Sequence, residues 1–313
     1  MLAVRIHRYG KRDTLSLDDV PIPGIAPDEL LVKVVASSVN PVDWKVREGY
    51  LAQMIPHALP LTLGWDLSGV VVAAGSAVQG WQPGDAVFSR PDLARNGTYA
   101  EFVAVRANEC ARKPATISHV EAASLPLAGI TAWESLVTAG KLQAGQRVLV
   151  HAGSGGVGSL AIQIAKDRGA SVIATTSGRN RALVESLGAD EVIDYTTTRF
   201  TDALAARPVD LVFDTLGGQV QEDSWSVLRP GGMLVSIVSP PDEARARERG
   251  LNSAFVFIGP NVPVLDQLAA MVDGGRLRPI VGAEFALLDI AKAHALSESG
   301  RTVGKIVLYA GTP

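Results

Sequence analysis

Three glycines carry the first chemistry the sequence offers. Gly153, Gly155 and Gly158 satisfy G-x-G-x-x-G, directly after an unalternating apolar run at 148–150. Val157, Leu160, Ala161, Ile164 and Ala165 follow at helical spacing. A strand, a glycine turn and a helix in this order suit a dinucleotide. Glycine lets the backbone turn tightly and approach a pyrophosphate, and the free N–H groups of the helix start face its charge. The alternative is a glycine-rich turn without a ligand. The next strand runs out into Thr175-Thr176-Ser177-Gly178-Arg179-Asn180-Arg181. A site for NADH places a carboxylate there, about 20 residues past the turn, to accept from the ribose 2′-hydroxyl. None is present. Arg179 or Arg181 offers a charge-assisted, bidentate grip on a 2′-phosphate, so NADPH is expected over NADH; alternatively both are solvated residues of the next helix. Tyr195, after the third strand, packs on the adenine side or is simply a strand-end aromatic.

The elements that must position these residues are legible as two patterns. Up to about residue 118 the chain reads as short strands (30–36, 69–74, 86–89, 99–105) separated by turn signals such as Pro21-Ile22-Pro23-Gly24 and Gln82-Pro83-Gly84-Asp85. That is the pattern of a barrel-like or sandwich domain. Ser118-His119-Val120-Glu121 then fits a capping box, with its helix running to about residue 125, and 131–139 reads as another helix. From Gln146 strands are expected at 147–151, 171–175, 191–193, 211–213 and 233–238, alternating with helices at 157–168, 179–187, 198–206 and 219–228. Such alternation means a doubly wound parallel sheet. Helices near 264–274 and 289–299 and a strand at 305–309 follow, and the chain end is expected to return to the first domain. The predicted division is 1–118 with about 280–313 as the β-rich catalytic domain, and 119–279 as the dinucleotide-binding domain.

Composition narrows the function. The 313 residues are 47% hydrophobic with a formal net charge of −3, which points to neither nucleic acid nor an anionic membrane surface. One cysteine, Cys110, excludes an intramolecular disulfide and a cysteine zinc cluster, and reads as a small buried residue. The stretch 1–10 lacks the apolar core of a signal peptide, and no run reaches the length of a membrane-spanning helix. The expectation is a cytoplasmic protein.

Several further stretches resemble a known family. Asn40-Pro41-Val42-Asp43-Trp44-Lys45 is similar to its N-P-x-D-x-K. Leu63-Gly64-Trp65-Asp66, Asn96-Gly97-Thr98-Tyr99-Ala100-Glu101-Phe102, Ser124-Leu125-Pro126-Leu127-Ala128-Gly129, Phe213-Asp214-Thr215-Leu216-Gly217-Gly218 and Gly304-Lys305-Ile306-Val307-Leu308 join it. Over essentially its whole length the chain resembles the zinc-independent medium-chain dehydrogenases/reductases, in the branch of quinone oxidoreductases and alkenal (enone) reductases. The resemblance implies an N-terminal GroES-like barrel domain and a Rossmann domain. Zinc-dependent relatives carry a cysteine near the place of Asn40 and G-H-E where Gly64-Trp65-Asp66 stands, so no metal ligands are expected. The five histidines, His7, His57, His119, His151 and His294, are scattered and read as structural or surface groups.

The resemblance further implies that Asn40 and Lys45 face the nicotinamide and that Thr131 contacts it or its ribose. Gly155, Gly156 and Val157 hold the pyrophosphate. Ser177, Arg179 and Tyr195 hold the adenosine phosphate end, with Arg181 a rival for Arg179 because the following helix is one residue shorter than in some relatives. Val238 and the segment bearing Phe255 and Phe257 line the nicotinamide side, and this last strand implies a homodimer. The implied activity is NADPH-dependent reduction of a quinone or α,β-unsaturated carbonyl. Lys45 is the expected hydrogen-bond donor to the substrate oxygen and Tyr50 the reserve, in a pocket walled by Trp44, Tyr50 and Trp65; the alternative for Lys45 is a solvent-facing lysine on a short helix. Two other readings are a reductase of another carbonyl substrate and a non-enzymatic NADPH-binding protein.

Overall fold

A computed structural model describes residues 1–310, which divide into two compact units: 1–128 with 259–275 and 279–310, and 129–258 with 276–278. The alternating half becomes one six-stranded sheet. Its strands Arg147–Val150, Ser171–Thr176, Glu191–Asp194, Val209–Asp214, Leu228–Ser236 and Asn252–Phe255 are all parallel. Counted along the chain they lie in the order 3-2-1-4-5-6. This is the doubly wound dinucleotide-binding arrangement, in which ligands sit beyond the carboxyl ends of the strands where the order reverses. Val148, Leu149 and Val150 are 0% exposed, as a strand covered on both faces requires. The sixth strand, short and mixed in polarity, gave no periodic signal. The helical stretch expected at 131–139 begins earlier, as Pro126–Trp133, and continues as a wider π-type stretch Glu134–Ala139. Proline is accepted in a first helical turn because the N–H it lacks has no partner there.

The β-rich unit holds a seven-stranded sheet. Along it lie Val281–Ala286, Lys305–Tyr309, Glu29–Val39, Leu67–Ala74, Ala86–Ser89 and Cys110–Arg112, with Phe102–Arg106 also paired to Glu29–Val39. Leu15–Asp19, Leu2–Ile6 and Leu61–Thr62 form a smaller antiparallel sheet. Lys33, the one charge after the first residue of the longest strand, is exposed, while its neighbours Val32 and Val34 face the core.

The division differs from the one expected at 118/119. The capped helix His119–Ala123 belongs to the β-rich unit because Ala123 packs on Ala36 and Val307. The helix Val262–Asp273, expected in the dinucleotide-binding domain, also joins this unit. Its Asp273 carboxylate accepts the N–H groups of Ala115 and Thr116 at 3.1 and 3.0 Å. No helix among the described residues is long and apolar enough to cross a membrane.

Candidate functional site

The glycine turn is built by close approach. Ala152 has φ 51°, a left-handed conformation in a non-glycine residue, and Gly153 N–H donates to Thr175 O at 2.8 Å. A Cβ on Gly158 would lie 2.3 Å from Ala152 O, and one on Gly153 2.9 Å from the Ala174 Cβ. These two glycines therefore let the turn fold onto itself and onto the neighbouring strand. The helix Gly156–Asp167 follows, and the N–H groups of Gly156, Val157 and Gly158 have no partner among the described residues. Three open donors at the positive end of a 12-residue helix match a pyrophosphate. His151, just before the turn, is a core residue. It bonds Thr175 Oγ1 and Ser224 Oγ at 3.2 and 3.0 Å, and burial holds its pKa down at about 4.

The adenosine-side candidates gather on adjacent strand ends. Thr176 pairs in register with Asp194, and Tyr195 N–H donates to Thr176 O at 3.2 Å, which brings Tyr195 beside Ser177. The Tyr195 ring is 65% exposed. The two arginines separate clearly. Arg181 pairs with Glu185 at 3.3 Å and donates to Val192 O at 3.0 Å. Arg179 is exposed and has no partner among the described residues. The i,i+4 spacing of Arg181 and Glu185 was the available sequence signal. Two contributors escaped the sequence reading. Asn180 reaches Ser154 and Ser177 with its side-chain amide at 3.1 and 3.3 Å. Asp194 accepts from Thr196 N–H and Oγ1 at 2.9 and 2.7 Å and from the N–H of Gly178.

Thr131, Val238, Phe255 and Phe257 belong to the same unit. Thr131 is buried, whereas Val238, Phe255 and Phe257 are 39%, 41% and 50% exposed. Asp214 ties two neighbouring strand ends together: it accepts from Leu216 and Gly217 N–H at 2.9 Å in the loop after its own strand, and from Ser236 Oγ at 2.8 Å at the end of the strand that leads to Val238.

In the β-rich unit the short helix Pro41–Arg47 starts inside a closed polar cluster. Asn40 N–H donates to Asp43 Oδ2 at 2.7 Å. The Asn40 amide donates to Asp66 Oδ2 at 2.7 Å and accepts from the ammonium of Lys305. Lys305 also donates to Val39 O at 3.1 Å and to Asp66 at 3.3 Å. Ser38 Oγ and the Leu127 N–H complete the shell of Asp66 at 2.5 and 2.7 Å. Asp43 Oδ2 also accepts Tyr99 OH at 2.6 Å, while its buried Oδ1 has no partner. Burial raises the Asp43 carboxyl to about 7, against the hydrogen bonds from Tyr99 and Asn40. Lys45, four residues into this helix, is half-buried; burial lowers its pKa, and its Nζ lies 5.8 Å from the centroid of the Trp44 ring. Tyr50 is 68% exposed and its hydroxyl bonds Glu48.

Residues 26–115 match the family description "Alcohol dehydrogenase GroES-like domain" and residues 187–308 match "Zinc-binding dehydrogenase". The mouse protein named "NAD(P)H oxidoreductase RTN4IP1, mitochondrial" is 34% identical, over 97% of this chain and 87% of its own length. The chain belongs to the medium-chain dehydrogenase/reductase family. An Arabidopsis thaliana member, "NADPH-dependent alkenal/one oxidoreductase, chloroplastic", is 37% identical over 96% of this chain and 77% of its length. The solved structure of the quinone oxidoreductase from Coxiella burnetii superposes with a TM-score of 0.92 at 35% identity, covering 99% of each chain. These place the chain in the quinone and enone reductase branch of the medium-chain family. The cytoplasmic expectation is overturned: the relatives above that carry a location in their names are mitochondrial or chloroplastic.

Against the family's expected roles, two residues shift. Asn40 is 2% exposed and its amide is engaged by Asp66 and Lys305, so its geometry suits holding the helix start rather than touching reactants. Trp65, expected on a pocket wall, is 0% exposed in the hydrophobic core. Its neighbour Gly64 has φ +88° and leaves no room for a Cβ, which would lie 2.2 Å from the Tyr99 ring. Lys305, 239 residues from Asp66, was invisible as a partner in the sequence.

Proposed function

We propose that this chain is an NADPH-dependent oxidoreductase that reduces quinones or α,β-unsaturated carbonyls without zinc. The observation that carries the coenzyme reading is the pairing of three open N–H donors at Gly156–Gly158 with an unpaired Arg179 beyond the end of the neighbouring strand. When bound, NADPH supplies the hydride. The helix start of the sheet unit holds the pyrophosphate, and Ser177, Arg179 and Tyr195 hold the phosphorylated ribose and adenine. Arg179 is the phosphate ligand because Arg181 is already paired.

Lys45 is the donor to the substrate oxygen. An ammonium stabilises the developing enolate or hydroquinone oxygen more than the neutral carbonyl, and so acts on the chemical step. Burial lowers its pKa and strengthens its field at a nearby oxygen. Tyr50 is the reserve donor, available once its hydroxyl leaves Glu48. The zinc-free reading rests on the donor set. Asp66, at the place of the family's G-H-E, already receives Ser38, Asn40, Leu127 and Lys305, and the last of these brings a fixed positive charge. A quinone or conjugated carbonyl is already electrophilic and accepts hydride without a Lewis acid, whereas a simple alcohol, which gives hydride up, needs one to stabilise its alkoxide. A homodimer through the outer strand Asn252–Phe255 is part of the same reading, motivated by the partly exposed Phe255 and Phe257 beside an edge strand.

The test follows NADPH absorbance with a quinone, an enone and a saturated ketone, each with and without exhaustive chelation. Turnover with the first or second that survives the chelator is expected. Turnover confined to the saturated ketone, or abolished by chelation and restored by zinc, overturns the proposal.

A further inference from the structure

The turn that carries Ser177 and Arg179 is tied down from both sides. The Asn180 amide donates one proton toward Ser154 Oγ at 3.1 Å and the other toward Ser177 Oγ at 3.3 Å. Its own N–H returns to Ser177 O at 2.9 Å. Ser154 lies between Gly153 and Gly155, and its Oγ also accepts from Thr176 Oγ1 at 2.9 Å. One side chain therefore joins the pyrophosphate turn to the ribose-phosphate turn. On the far side Asp194 accepts the Gly178 N–H, and a Cβ on Gly178 would fall 2.4 Å from Asp194 Oδ2. The turn is locked at Gly178 and Asn180, and Arg179 stands between them without a partner of its own among the described residues.

We propose that Asn180 is a positioning residue that sets the preference for NADPH over NADH by fixing the turn from which Arg179 reaches the 2′-phosphate. This rests on the coenzyme reading above and adds to it the residue that organises the phosphate ligand. Both amide protons of Asn180 are engaged within the protein, so it acts through Arg179 rather than on the phosphate. Without the tie the turn samples more positions, and ordering it on binding costs free energy that the rigid turn does not. NADH has no 2′-phosphate and is indifferent to where Arg179 stands. Arg181 cannot substitute while Glu185 and Val192 O hold it.

The experiment measures dissociation constants of NADPH and NADH by titration calorimetry on the whole chain, for the wild type, Asn180→Ala, Arg179→Ala and the double variant. Asn180→Ala is expected to weaken NADPH about 3–10-fold and NADH less than about 2-fold. Retained NADH affinity also reports that the variant is folded. Because Asn180 acts through Arg179, the double variant should bind NADPH no more weakly than Arg179→Ala alone. Equal losses for both coenzymes, an additive double variant, or unchanged NADPH affinity in Asn180→Ala while Arg179→Ala weakens it would each overturn the proposal and leave the phosphate assignment standing. Unchanged NADPH affinity in Arg179→Ala overturns the assignment and the proposal together.

Discussion

Two helix starts in this molecule meet the same physical problem and solve it oppositely. The helix Gly156–Asp167 begins in glycines, carries no side-chain cap, and leaves three N–H groups open. The helix Pro41–Arg47 begins with proline, which lacks one donor altogether, and Asp43 takes the N–H of Asn40. Asn40 in turn is held by Asp66 and Lys305. The first start is open toward a ligand; the second is closed by its own side chains. In the closed case the candidate reactive group sits further along, at Lys45. A capped helix start is thus a scaffold for the residues beyond it, and an uncapped one is a binding surface.

The comparison breaks first at Lys305. Lys305→Met leaves Asp66 buried without its cation, and losing one partner of a buried pair costs about 3–5 kcal/mol. Denaturant unfolding should show that loss, and a companion Asp66→Asn change should recover part of it. A stability within about 1 kcal/mol of wild type would mean the cluster is not holding the closed start. The next effect belongs to Lys45. Lys45→Met keeps most of the stem and removes the charge, and turnover should fall about 10²–10³-fold, as for one lost oxyanion donor. NADPH affinity should change little. Near-normal turnover would make Lys45 a surface residue and turn attention to Tyr50→Phe.

At the open start, Gly156→Asp places a carboxylate among the free donors. A negative charge in a first helical turn suits the dipole, so the fold should persist. Affinity for NADPH and NADH alike should drop on the order of 100-fold, because a carboxylate there repels and displaces the pyrophosphate. Unchanged coenzyme affinity would reduce the turn to a structural feature. The smallest effect is the pH response of Asp43. Its folded pKa, about 7, lies above the ordinary 3.8. Its contribution to stability is therefore full below the unfolded value and is lost as pH rises through about 7. Relative to Asp43→Asn, the wild type should lose about 1 kcal/mol between pH 6 and 8. Parallel stability curves for the two proteins would show that Asp43 keeps an ordinary pKa.

How much the sequence made legible depends on how local each signal is. The glycine turn, the Ser118–Glu121 capping box and the alternation after Gln146 are patterns within a few residues, and each predicted element formed there. The Lys305–Asp66–Asn40 cluster joins residues 26 and 239 positions apart, and no periodicity encodes such a meeting. The same holds for Asp194, which comes from a neighbouring strand to the turn after Thr176, a place where the chain's own spacing offers no acid. Which arginine is free also depended on a tertiary acceptor, Val192 O, in addition to the local Glu185.

The position of Lys305–Tyr309 inside the seven-stranded sheet has a consequence for how the chain is made. That strand lies between Val281–Ala286 and Glu29–Val39 and brings the cation that Asp66 needs. The parallel sheet is drawn from one nearly continuous stretch, 129–258, and is complete once that stretch has left the ribosome. The β-rich unit, although most of it is synthesised earlier, cannot complete its sheet or give Asp66 its cation until residues past 300 emerge. From this topology the usual N-terminal-first order of domain folding is expected to reverse. The interval in which this unit stays unfinished, with Glu29–Val39 exposing an unpaired edge, is when the chain most needs protection from aggregation.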